Sequence, residues 1–206
     1  MRGDRHRHRF HGQIAGLGSA SGNRVVVGRW TDSPLGAFAD VMLERPDGHR
    51  VLYAPSREVA EFIADTYVFD EVRTVPVTVE VAHGRWRVAA DDLLLELTTG
   101  PRLPLGWVLH AVPRPLAEST GWASLVDPVA RRVLRGVRTR GQARSGRREW
   151  YGATDLHAVG SIRGTLGREP LGVLAPVDPP TRFGFSSTPR QPSVTTVVTT
   201  VEDLAP

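Results

Sequence analysis

Asp40 is the residue best placed to do chemistry. It stands inside the apolar run Gly36-Ala-Phe-Ala-Asp-Val-Met-Leu. In a strand, alternate side chains share a face, so Phe38, Asp40 and Met42 lie on one side, with Glu44 further along. Ala37, Ala39, Val41 and Leu43 lie on the other. If that second face packs on the body, the Asp40 carboxyl points into whatever the sheet encloses. Desolvation there raises a carboxyl pKa and an arginine partner lowers it, which is how general acids and bases are tuned. Arg29, at the end of the preceding predicted strand, is the expected partner and the group that would orient an anionic ligand. Phe38 and Met42 are the expected substrate contacts.

A second constellation is Glu149, Trp150, Tyr151, Asp155 and His157. Trp and Tyr each offer an apolar body and a polar tip, which suits a pocket wall. Trp150 and Tyr151 are therefore expected to touch substrate, and His157 to join Asp40 in acid–base catalysis. His49 and His110 carry the same chemistry. The plain alternative is that Trp150 and Tyr151 pack and Asp155 caps a turn.

The remaining motifs are weaker. Gly16, Gly18 and Gly22 approach a dinucleotide fingerprint, but the third glycine is one place late and a strand follows where a helix is needed, so a hairpin turn is expected. His6 and His8 would share a strand face as a metal pair. They sit on a basic terminal stretch with only Asp4 as carboxylate, and no metal is expected. Eight arginines and no acid fall between residues 131 and 148. They could meet phosphate, but no aromatic interrupts them before Trp150, so a solvated edge is the expected reading and specific nucleic-acid binding is not. Arg182-Phe-Gly-Phe185 is a fragment of an RNA-recognition signature without its strand order. Ser186 to Thr188 has no base motif beside it, and no G-x-S-x-G occurs.

Two absences remove whole reaction classes. All 26 basic side chains are arginine, and there is no cysteine among the 206 residues. A Schiff base, lysine-held pyridoxal phosphate, a P-loop lysine, a thiol nucleophile, a disulfide and a thiolate metal site are all excluded. No cofactor is expected. Hydrophobic content of 40% with 23% charged residues belongs to a folded chain. No apolar run is long enough to span a bilayer, and no apolar segment follows the basic N-terminus, so a cytoplasmic protein without a membrane partner is expected.

The elements that must hold these residues are mostly strands. Residues 8–17 and 24–30 read as a hairpin around a Ser-Ala-Ser-Gly-Asn turn, and 36–45 and 49–54 as strands about Pro46-Asp47-Gly48. Ser56 caps a helix over 57–67 with Val59, Phe62, Ile63 and Tyr67 on one face. Residues 72–81, 86–89 and 93–98 alternate as strands. Short helices are expected near Trp107 and over 122–133, extended segments at 138–143, 149–153 and 157–165, and a closing strand at 194–201. Strands follow strands, so the expectation is an α+β chain: a mainly antiparallel, strongly curled sheet or barrel with two or three helices. One domain spans 1–206, with a basic arm at 1–8 and a Pro-rich irregular segment at 176–192.

The stretch Arg29 to Pro55 resembles the acetoacetate decarboxylase-like superfamily. Members place a Gly-x-Tyr-x-Glu strand in the wall of a cone-shaped antiparallel barrel near an arginine. Phe38 stands at the tyrosine position here and Asp40 at the acid. The Schiff-base lysine of the decarboxylase cannot exist in this chain, so that route is excluded. The resemblance implies a barrel enclosing a small, carboxylate-bearing molecule. The whole chain also resembles actinobacterial proteins, which adds no function.

The sequence thus points to a small-molecule-binding barrel protein with cofactor-free acid–base chemistry of lyase, isomerase or cyclase type on an organic acid or polyketide-like substrate. A non-catalytic binding or scaffold protein is the first alternative, and a weak nucleic-acid-associated protein the second. A homo-oligomer is compatible with either.

Overall fold

The computed structural model describes residues 7–117, 119, 121, 137, 139–142, 148–184 and 186–202. The chain begins with four strands in meander order: β1 (Arg7–Ser19), β2 (Arg24–Asp32), β3 (Phe38–Glu44) and β4 (Arg50–Ala54). Gly22 turns the first hairpin at a φ of 84°, where a side chain would be strained. β1 already begins at Arg7, so Arg7 and His8 are strand and not part of a basic arm; they pair with Glu202 and Val201.

Helix α1 (Arg57–Thr66) starts where the Ser56 hydroxyl accepts a hydrogen bond from the Val59 amide. It crosses from β4 to β5 (Glu71–Thr74), and these two strands pair in parallel. The stretch 72–81 is not one strand. Val75-Pro76 breaks it, and β6 (Val77–Ala82) leaves for the opposite end of the sheet, because proline has no N–H for the ladder. β7 (Arg85–Ala90) and β8 (Leu93–Arg102) follow, then the short helices α2 (Pro104–Ala111) and α3 (Arg114–Ala117). β9 (Arg140–Gln142) precedes a 19-residue strand, β10 (Arg148–Leu166), which merges the two extended segments expected at 149–153 and 157–165. β11 (Glu169–Pro170), β12 (Leu174–Ala175) and β13 (Ser193–Glu202) complete the chain. The described residues of 176–192 form neither helix nor strand. The helix expected over 122–133 lies outside the described residues.

The thirteen strands among the described residues belong to one sheet, with main order β5-β4-β3-β2-β1-β13-β10-β8-β7-β6. It curls into a half-barrel of α+β class, antiparallel except at β4–β5. One face is a continuous apolar core: Val25 and Val27, Val41 and Leu43, Trp86 and Val88, and Leu93, Leu95 and Leu97 are all buried together. The two-residue alternation of β2, β3, β7 and β8 dictates this, since shifting register by one would turn each set to the other face. The opposite face carries a second cluster around Leu52, Val59 and Ile63, where α1 packs. On this second face the site is found.

Candidate functional site

A cavity of about 450 Å³ lies on the sheet face opposite the main core. β1, β2, β3, β10 and β13 wall it; α1, α2 and the described part of 181–189 cover it. Apolar and aromatic side chains dominate, including Phe10, Trp30, Phe38, Met42, Phe62 and Val197. Phe10 is the hub of the aromatic wall. Its ring centroid lies 5.0 Å from Phe62, 5.8 Å from Trp30 and 6.4 Å from Phe38.

Asp40 lines this cavity and is 3% exposed. Its partner is not Arg29. The register pairs Gly28 with Asp40 and Arg29 with Ala39, so Arg29 projects from the other face and donates to Gln13 at 3.4 Å. The neighbour on Asp40's own face is Trp30, whose indole Nε1 donates to Asp40 Oδ1 at 2.8 Å. Burial drives the Asp40 carboxyl up to about 6, and the neutral indole donor only partly offsets it. A cation at that distance would have reversed the shift.

Gly28 makes the pair possible. A Cβ there would collide with Asp40 Oδ1 and Trp30 Nε1. Gly28→Ala is expected to separate the two side chains and cost about 1–3 kcal/mol, the usual price of overpacking. Chemical denaturation together with the Trp30 indole N–H resonance checks this: the resonance should move as its acceptor is lost.

Elsewhere on the cavity wall lies a second buried acid, Glu149, 2% exposed. Tyr67, at the end of α1, donates its hydroxyl to Glu149 Oε1 at 2.6 Å and lies 2.7 Å from the Tyr151 hydroxyl. Burial raises Glu149 to about 7 against the pull of both phenols. Both phenols are held well above their usual range, by burial first and the Glu149 charge second. Glu149 Oε2 and Thr199 Oγ1 are buried with no hydrogen-bond partner among the described residues. Thr199 lies opposite Tyr151 on β13, on the same wall.

The cover is tied down by a buried ion cluster. Glu44 is fully buried, accepts from the Arg182 amide at 2.8 Å and from Arg182 Nε at 2.9 Å, and forms an ion pair with Arg24 at 3.1 Å. Arg24 also donates to the carbonyls of Arg45 and Pro179. Thr181 and Phe183, on either side of Arg182, line the cavity. Thr188 seats its side chain over Gly16, where any Cβ would clash.

The constellation read at 149–157 is divided. Glu149, Tyr151 and Ala153 face the cavity, and Trp150 faces away. A bulge between Ala153 and Asp155 then breaks the alternation, so Asp155 and His157 lie outside the cavity lining. There Arg102 holds Asp155 with two 2.9 Å hydrogen bonds and stacks over Trp107 at 4.5 Å. His157 lies 3.4 Å from Asp155 and 3.2 Å from the Gly100 carbonyl. Partial burial pushes Asp155 up, but the Arg102 hydrogen bonds hold it below the usual carboxylate range. Of the residues singled out from the sequence, Asp40, Phe38, Met42 and Tyr151 meet at the cavity; Arg29, Trp150 and His157 do not. The Tyr67–Glu149 pair was missed, and only the docking of α1 brings its members together across 82 positions.

The 131–148 arginine segment falls mostly outside the described residues, as does His6. No group of three or more His, Asp or Glu placed to hold a metal occurs among the described residues. No helix there is long and apolar enough to cross a membrane.

No protein-family model matches the chain, and no curated protein matches it. Among solved structures it is similar to an acetoacetate decarboxylase from Legionella pneumophila, with a TM-score of 0.42 and 8% identity over 98% of this chain and 88% of that one. It is also similar to an AttH protein from Nitrosomonas europaea, with a TM-score of 0.27 and 14% identity over 95% of this chain and 51% of that one.

Proposed function

We propose that this protein binds a small, largely apolar molecule in the covered cavity and uses Asp40 and Glu149 for cofactor-free acid–base chemistry on it. The observation that carries the reading is the pairing of an aromatic-walled cavity with two buried carboxyls whose pKa values straddle the range where proton transfer is efficient. Such a combination of apolar wall and few convergent polar groups is typical of ligand sites. An organic acid, the ligand class expected from Arg29, meets no cation among the described lining residues and would face two carboxyls.

The test is titration with a neutral apolar dye such as Nile red. Saturable binding is expected in the wild type. Val197→Trp, which places an indole in the cavity from β13, should weaken it at least tenfold. Binding unaffected by Val197→Trp would place the dye elsewhere and refute the reading. Asp40→Asn should leave the fold intact, because the amide is nearly isosteric and can still accept from Trp30. It should weaken ligand binding or turnover. Retained turnover of a substrate in both Asp40→Asn and Glu149→Gln would leave a binding protein without acid–base catalysis.

A further inference from the structure

Among the described lining residues of the cavity, the ionisable acids have no counter-charge. Asp40 and Glu149 both line it, and no Arg or His is among its described lining residues; lysine is absent from the chain altogether. Three buried oxygens on its lining residues have no hydrogen-bond partner among the described residues and can all accept: Glu149 Oε2, Thr199 Oγ1 on the adjacent strand, and Thr188 Oγ1 in the cover. The walls are rich in aromatic rings, from Phe10, Trp30, Phe38 and Phe62 to Tyr67 and Tyr151. A ring face attracts a cation, and more strongly once water is excluded. Asp40 spends Oδ1 on Trp30 and Glu149 spends Oε1 on Tyr67, so each has one further oxygen; that of Glu149 is the one buried without a hydrogen-bond partner.

We propose that the cavity takes a hydrophobic amine in its ammonium form, with the charged head at Glu149 Oε2 and Thr199 Oγ1 and the apolar body along the aromatic wall. This rests on the cavity being a ligand site, as argued above. It goes further by naming the charge of the ligand. An ammonium donates up to three hydrogen bonds and accepts none, which matches a site of open acceptors. It also supplies the counter-charge that a buried carboxylate needs. A neutral alcohol would satisfy one oxygen but leave the carboxyl pair uncompensated. A carboxylate ligand would be repelled.

Glu149 must ionise to hold the head, so binding couples to proton release. Among the described residues, the titratable groups facing it are Tyr67 from α1 and Tyr151 on its own strand; β13 places Thr199 and Val201 on this wall, and Val137 and Thr139 also line it. The phenols stay protonated, so the released proton comes from Glu149.

The experiment is calorimetric titration of the full chain with decylamine, 1-decanol and decanoate below their aggregation limits, at pH 6 and pH 8. Measurements at pH 6 use two buffers of different ionisation enthalpy. Decylamine is expected to bind at least tenfold more tightly than decanol and decanoate more weakly than either. Decylamine affinity should rise from pH 6 to pH 8 while the decanol affinity stays level, and decylamine should release close to one proton at pH 6. Glu149→Gln should reduce the amine-to-alcohol affinity ratio at least tenfold. Decanol binding as tightly as decylamine, decanoate binding best, or no proton release would overturn the inference while the cavity reading stands. Failure of all three ligands, with Nile red also unbound, would overturn both.

Discussion

Glu44→Ala should be among the most destabilising single substitutions in this chain, lowering stability by about 3–5 kcal/mol, the range for removing one partner of a buried ion pair. Glu44 has no exposed surface, and its two oxygens gather the Arg182 amide and guanidinium and the Arg24 guanidinium. Arg24 is itself 5% exposed, and its Nε already lacks a partner. Without the carboxylate, a buried guanidinium keeps its charge, because arginine does not deprotonate in proteins. For a chain of this size the loss corresponds to a fall in Tm of about 6–20 °C. Arg182→Ala should cost much less, since that side chain is 67% exposed and screened by solvent. Replacing Arg24 by Met together with Glu44 by Leu should recover part of the loss; the Arg182 amide would still want an acceptor. Because Arg182 holds Thr181 and Phe183 over the cavity, Glu44→Ala should also weaken Nile red binding well below its melting temperature. A loss under about 1 kcal/mol, measured by urea denaturation, would show that this cluster is a passenger and not an anchor.

The ligand-free protein should lose stability as pH rises from about 4 to about 7, the opposite of a protein dominated by surface ion pairs. Asp40 moves from 3.8 to about 6 and Glu149 from 4.5 to about 7 on folding, both through burial. The folded state therefore holds these protons more tightly than the unfolded chain, and stability falls with pH wherever the unfolded chain binds fewer protons. The contribution of each is complete below its unfolded pKa and is lost as pH rises through its folded one. Each such shift corresponds to something on the order of 3 kcal/mol. The opposite class is present too. Arg50 holds Asp70 far below its usual range, and Arg73 and His49 hold Glu71 down. Those carboxylates give stability that disappears only as pH falls below about 4, and their exposure keeps their contribution small. The maximum is thus expected near pH 4, between the two windows. Asp40→Asn with Glu149→Gln should flatten the decline between about pH 4 and pH 7 and leave the acid limb unchanged. Stability that is flat or rising over that interval in the wild type would show that the two carboxyls are not desolvated as their burial implies.

Much of the frame was legible in the chain because strand alternation is a local property. The valines of β2, the Ala-Val-Leu face of β3 and the leucines of β8 each specify a buried side by their own spacing. Ser56 announces α1 through a hydrogen bond three residues long. The same alternation put Phe38, Asp40 and Met42 on one face. The absence of lysine and cysteine excludes its chemistry whatever the fold. What alternation could not supply is which face of one strand meets which residue of another. The β2–β3 register gives Asp40 an indole in place of the expected guanidinium, and one bulge in β10 parts Tyr151 from His157. Glu149 belonged to the constellation at 149–157, but its spacing named no partner for it. Only the packing of α1 and the closing strand β13 against β10 buries it, pairs it with Tyr67 and raises its pKa. Local geometry is written in neighbouring residues; burial and pairing are sums over the whole curled sheet.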